Sequence, residues 1–226
     1  MNVVDLSTAT VRELNAALHQ PNGTTSWRVL HPRGAHALAV GLNAPLRVEI
    51  AGHAGYYCAG MNQLATVIVE GNCGTGVAEN MMSGLVHVKG NASQSAGATG
   101  HGGLLVIDGD ASARCGISMK GIDIVVKGSV GHLSAFMGQA GNLVVLGDAG
   151  EALGDSIYEA RLFVRGKVES LGADCIEKPL EDQHKAELGR LLAAAGLNGA
   201  VDPSSFHCYG SARKLYHFHI DNVGSY

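Results

Sequence analysis

The chain has 226 residues, a formal net charge of −4 and only 16% charged residues, so it carries no basic stripe of the kind that neutralises nucleic-acid phosphates. Met1 is followed by Asn-Val-Val-Asp rather than by a positive segment and an apolar core. No apolar run approaches the ~20 residues that span a bilayer, which predicts a soluble, cytoplasmic protein. The five cysteines are scattered and lack a C-x-x-C pair, so they read as reduced thiols rather than as a cluster, zinc or redox site.

In chain order, Thr10 and Glu13 form a capping-box pattern at the start of a short helix through Val11, Leu14, Ala17 and Leu18, stopped by Gln-Pro-Asn-Gly. This flank is taken as residues 1–39. From there the 32 glycines dominate, and they are in register: Gly52, Gly71, Gly90, Gly109, Gly128, Gly147 and Gly166 stand 19 residues apart without a slip. Two residues before them stand Ile50, Val69, Val88, Ile107, Val126, Val145 and Val164. Four before stand Val48, Val67, Val86, Leu105, Ile124, Leu143 and Leu162. Apolar side chains two apart share one face of a strand, so these residues form a buried ladder. Seven after each glycine the residue is small (Ala59, Ala78, Gly97, Gly116, Ala135, Gly154, Ala173), which implies a crowded corner.

A 19-residue unit is too short for a strand plus a crossover helix, so each unit coils into strands and turns. The fold class read from this is an all-β solenoid over residues 40–178: a single-stranded parallel β-helix of about seven 19-residue coils with short helices at both ends. The right hand is assigned from the rule for parallel crossovers. A second helix follows Pro179 through Leu180, His184, Leu188, Leu191, Leu192 and Ala195, and is expected to cap the open end of the stack. The C-terminal part, 179–226, closes on an aromatic and histidine-rich stretch. There His207, Tyr209, Arg213, Tyr216, His217 and His219 read as a partner-binding patch.

Other chemistry fares less well. The Gly-rich stretch 71–76 follows a strand, as a phosphate loop does, but another coil begins where the helix should open. His207, Cys208, His217, His219 and Asp221 are possible zinc ligands at a spacing that matches no known finger, so a packed surface is the preferred reading. Asp108 and Asp110 could be imagined as paired carboxylates for sugar cleavage, yet their counterparts in other coils are of mixed charge. No catalytic residue, metal site or cofactor is expected in this chain.

The V-x-G units with Gly-x-x-Gly turns, such as Gly52-His-Ala-Gly55 and Gly71-Asn-Cys-Gly74, resemble the C-terminal GXGXG domain of the glutamate synthase large subunit. The ending, with Tyr-Gly-Ser-Ala-Arg and Tyr-His-Phe-His-Ile-Asp, is similar to the free-standing small subunit of N-methylglutamate synthase. That resemblance implies a right-handed β-helix serving as one subunit of a hetero-oligomeric enzyme. Its partners would be an amidotransferase-like subunit and an FMN-binding synthase subunit, the latter holding FMN and iron–sulfur clusters. The glycine pattern is shared by a β-helix subunit of formylmethanofuran-dehydrogenase-like metalloenzymes, the second reading. A self-contained carbohydrate-active β-helix is a distant third.

Overall fold

The structure is a computed structural model and describes residues 1–213. Its strands form one 11-stranded sheet in which strands consecutive in the chain are neighbours, except that the last strand lies between the two before it. The strands that carry the repeat are β3 (Arg47–Ile50), β4 (Thr66–Val69), β5 (Leu85–Val88), β6 (Leu104–Ile107), β7 (Lys120–Val126), β8 (Ala140–Val145) and β9 (Arg161–Val164). All are parallel, and the pairing advances by one repeat per coil: Val48 faces Val67, Val67 faces Val86, and so on to Leu143 and Leu162. The chain is therefore a parallel β-helix. Every residue of the predicted inner ladder is 0% exposed.

Two further strands lengthen the ladder before the repeat begins. β1 (Asn2–Asp5) pairs in parallel with β2 (Ser26–Leu30), and β2 with β3. Between them, helix α1 (Val11–His19) starts on the expected capping box, with the Glu13 amide donating to Thr10 Oγ1 at 3.2 Å. It sinks Leu14 and Leu18 into the solenoid core. The Asn15 side chain pins it by donating to the Ala37 carbonyl and accepting from the Ala39 amide. One helix thus closes an end of the stack, as expected.

The other walls of each coil are built without extended strands. Two residues after each repeat glycine a single parallel bridge joins coil to coil, from Ala54↔Cys73 to Ala149↔Val168. Beyond it the backbone enters the left-handed region at every second residue: Ser95, Gly97 and Thr99 in one coil, Arg114, Gly116 and Ser118 in the next. The alternation aims successive amides at opposite neighbours. Gly97 N–H donates back to the Val77 carbonyl at 2.8 Å, while Thr99 N–H donates forward to Ile117 at 2.9 Å. The middle residue of each trio is the small one read from the sequence. A Cβ on Gly97 would stand 2.6 Å from Ile124 Cδ1, so the corner is crowded as inferred. The seventh coil breaks the pattern: Ala173 is exposed and its neighbour Asp174 takes the positive φ of 62°.

The second helix does not cap the far end. Helix α2 (Asp182–Ala194) lies across the outer face of the sheet, where Leu188, Leu191 and Leu192 pack on Val106, Val125, Val144 and Phe163. The reason is in the column three residues before each repeat glycine, which changes from Glu49, Ile68 and His87 to Val106, Val125, Val144 and Phe163. Runs such as Leu-Leu-Val-Ile and, after Arg161, Leu-Phe-Val are apolar on both faces, the mark of a strand covered on both sides. The far end is closed instead by β11 (His207–Ser211). It inserts antiparallel between β9 and β10 (Cys175–Lys178), after a 3₁₀ turn at Pro203–Ser205. Among the described residues no helix is long and apolar enough to cross a membrane.

Candidate functional site

The repeat glycines from Gly71 to Gly166 are explained by close approach rather than by dihedral freedom, whereas Gly52, at the start of the stack, has a φ of 145°. A Cβ on Gly90 would sit 2.2 Å from Asn72 Oδ1 and 3.0 Å from the Gly71 carbonyl of the coil below. The oxygen it would strike belongs to a ladder that the sequence reading missed. The residue after each repeat glycine accepts a hydrogen bond from the amide of its counterpart one coil on. His53 Nδ1, Asn72, Asn91, Asp110, Ser129 and Asp148 accept in turn, at 2.7 to 3.0 Å, and the column ends on Lys167, which has no acceptor. The signal was available as a 19-residue column of acceptor side chains.

The carboxylates considered for sugar cleavage are engaged elsewhere. Asp110 is a rung of that ladder, and Asp108 stands in a cluster with His87 Nε2 at 2.9 Å, Lys127 Nζ at 2.7 Å and Lys89 Nζ at 3.6 Å. Partial burial raises the Asp108 pKa, but the Lys127 and His87 contacts outweigh it and hold the carboxyl below its usual range. The stretch 71–76 runs straight into the next coil, with no helix after it.

All five cysteines are buried and free. Burial pushes the Cys115 thiol up to about 12 and Cys175 up to about 11, so neither is a ready nucleophile. Among the described residues no group of three or more His, Cys, Asp or Glu side chains is placed to hold a metal ion.

The predicted patch residues part company. His207 is exposed, its Nδ1 2.8 Å from Glu177 Oε1, and Arg213 is ion-paired with Asp174. Tyr209 is not a surface residue: it is 8% exposed and packs in the solenoid core, because β11 is a sheet strand whose alternate side chains point inward. Cys208, one residue back, faces the other way, beneath α2. Tyr216, His217 and His219 lie outside the described residues.

What the C-terminal elements do enclose is a cleft of about 630 Å³ between the starts of β8 and β9, the β10–β11 pair and the first turn of α2. Arg161, Lys178 and Arg213 line it together with His184, Tyr158 and Glu181. His184 Nδ1 accepts the Glu181 amide at 3.2 Å, which leaves Nε2 as the protonated ring nitrogen. Burial raises the Cys208 thiol, Arg161 and Lys178 oppose that rise and Glu181 adds to it, so both cations act on one wall of the cleft. Beside it, Arg190 bridges Glu187 at 2.6 Å and Asp123 at 2.9 Å, and Asn142 donates to Asp123 at 2.7 Å, fixing α2 against the sheet.

Set against known proteins, the chain is 61% identical over 229 residues to Protein GlxC of Rhizobium meliloti (strain 1021), with all of both chains covered. The chain belongs to the GlxC family. No family model matches it, and no solved structure does. This GlxC-family chain combines a 19-residue coil, a polar backbone ladder and a cleft where the coil gives way to the C-terminal elements.

Proposed function

We propose that this GlxC-family chain is a non-catalytic scaffold subunit of a glutamate-synthase-like complex of the N-methylglutamate synthase type. That enzyme converts methylamine and L-glutamate to N-methyl-L-glutamate and ammonia. The chain holds an amidotransferase-like subunit and an FMN-binding synthase subunit in register, so that a reactive amine passes between sites without escaping. FMN and the iron–sulfur clusters reside in the synthase partner.

The observation that carries this reading is the uninterrupted 19-residue coil with its Gly-x-x-Gly turns, on which the likeness to the GXGXG domain rests. Two features support a scaffold role. Asp108 and Asp110, the carboxylates considered for sugar cleavage, are committed to lysine and backbone contacts. The early coils leave Tyr56, Met61, Leu64 and Met82 exposed, a surface suited to another polypeptide.

The test is affinity purification of the tagged chain from its own cells, with mass spectrometry of what travels with it. Co-elution of an amidotransferase-like chain and a flavin-absorbing chain is expected. Recovery of an isolated chain with neither companion, from cells that express both, overturns the proposal.

A further inference from the structure

Gly210 has no local reason to be glycine. Its φ is outside the left-handed region, and a Cβ there would meet nothing nearer than Lys178 Cγ at 3.8 Å. It sits inside a strand, where glycine weakens the sheet. Its effect is to leave a bare floor. Tyr209 pairs with Leu162, so Gly210 comes level with Arg161 on one neighbouring strand, while Lys178 stands opposite Cys208 on the other. Strand alternation puts Arg161, Gly210, Cys208 and Lys178 on the same outer face. Among the described residues the side chains of Arg161 and Lys178 have no hydrogen-bond or ion-pair partner, whereas Arg213 is taken by Asp174.

We propose that this cleft is a binding site for a small organic oxyanion, a carboxylate or a phosphate ester, seated over Gly210 between Arg161 and Lys178. Arg161 supplies the planar fork that such groups accept in pairs of hydrogen bonds, and Lys178 a point charge from the opposite side. His184 on the wall carries its proton on Nε2, a further donor. The volume of about 630 Å³ is that of a small-molecule site, larger than a bare ion needs. Glu159 and Glu181 also line the cleft and Glu187 attracts Arg161 from beside it, so net charge does not favour an anion there and recognition rests on direct contact with the two cations. The site goes beyond the scaffold role and stands whether or not the partners are those proposed.

The full chain should be titrated calorimetrically with inorganic phosphate and, separately, with glutarate, at low ionic strength. Saturable binding of at least one probe is expected, and the tighter one identifies the headgroup. Arg161→Gln and Lys178→Gln should each weaken it about tenfold, the value of one charge-assisted contact. Gly210→Val keeps both charges and fills the floor, and should abolish binding. The thermal melt of Lys178→Gln should match the parent, and that of Arg161→Gln should fall only slightly, since Arg161 makes no direct hydrogen bond or ion pair and loses only its through-space attraction to Glu187. No saturable binding of either probe overturns the proposal, as does binding that both charge variants leave unchanged.

Discussion

The Asp110 amide donates to Asn91 Oδ1 at 2.8 Å, and the Cβ that Gly109 lacks would have stood 2.1 Å from that same oxygen. The two columns, glycine and acceptor, therefore depend on each other. A side chain on the glycine displaces the acceptor, and loss of the acceptor strands an amide.

The first prediction follows for glycines in two settings. Gly109→Ala must push aside Asn91 and meets the Gly90 carbonyl at 3.0 Å, so it should destabilise by about 2 kcal/mol. Gly189→Ala, within α2, finds only Pro203 Cγ at 3.9 Å and should stabilise by about 1 kcal/mol through helix propensity. Urea unfolding of the two variants should move the midpoint in opposite directions.

The Asp108 cluster makes stability depend on pH in one direction. Its carboxyl is held below the ordinary value in the folded chain, so the stabilisation is fully present above the unfolded pKa of about 4 and is lost as pH falls through the lower folded value. Asp108→Asn should therefore be less stable than the parent at neutral pH. The gap should close only in acid below that range, as read from denaturation midpoints across a pH series.

Leu191 lies under α2 against the outer valines and is 0% exposed. Leu191→Ala should cost about 3 kcal/mol. If the helix merely capped an end, hydrogen exchange of strands β6 to β8 would be unaffected. With the helix lying across the sheet, exchange at Val106, Val125 and Val144 should quicken.

Thiol chemistry offers a further check. With every cysteine buried and the Cys115 pKa near 12, an aromatic disulfide reagent at mildly alkaline pH should titrate almost no thiol in the native chain. All five should appear on unfolding, and two or more fast-reacting native thiols would contradict the described packing.

The coil was legible because each rung repeats the same local chemistry. Val86 two residues before Val88, with Gly90 two beyond, specifies a strand face and a close approach wherever it occurs. Nineteen-residue spacing then stacks identical solutions, so the solenoid, its ladder and its small corner are properties of the sequence alone. The capping box of α1 is equally local, fixed by Thr10 and Glu13.

What tertiary structure decided was the fate of segments without a repeat. The amphipathic stripe of Leu188, Leu191 and Leu192 says that one face must be buried, but not whether the burial partner is the end of the stack or its flank. Only the distant valines of the outer column settle that. Likewise Tyr209 looked like an aromatic of a binding surface until β11 paired with β9 and β10, whose register turns Tyr209 into the core and leaves Gly210 facing outward between Arg161 and Lys178. Composition is read one residue at a time, whereas the face a strand presents is set by neighbours far away in the chain.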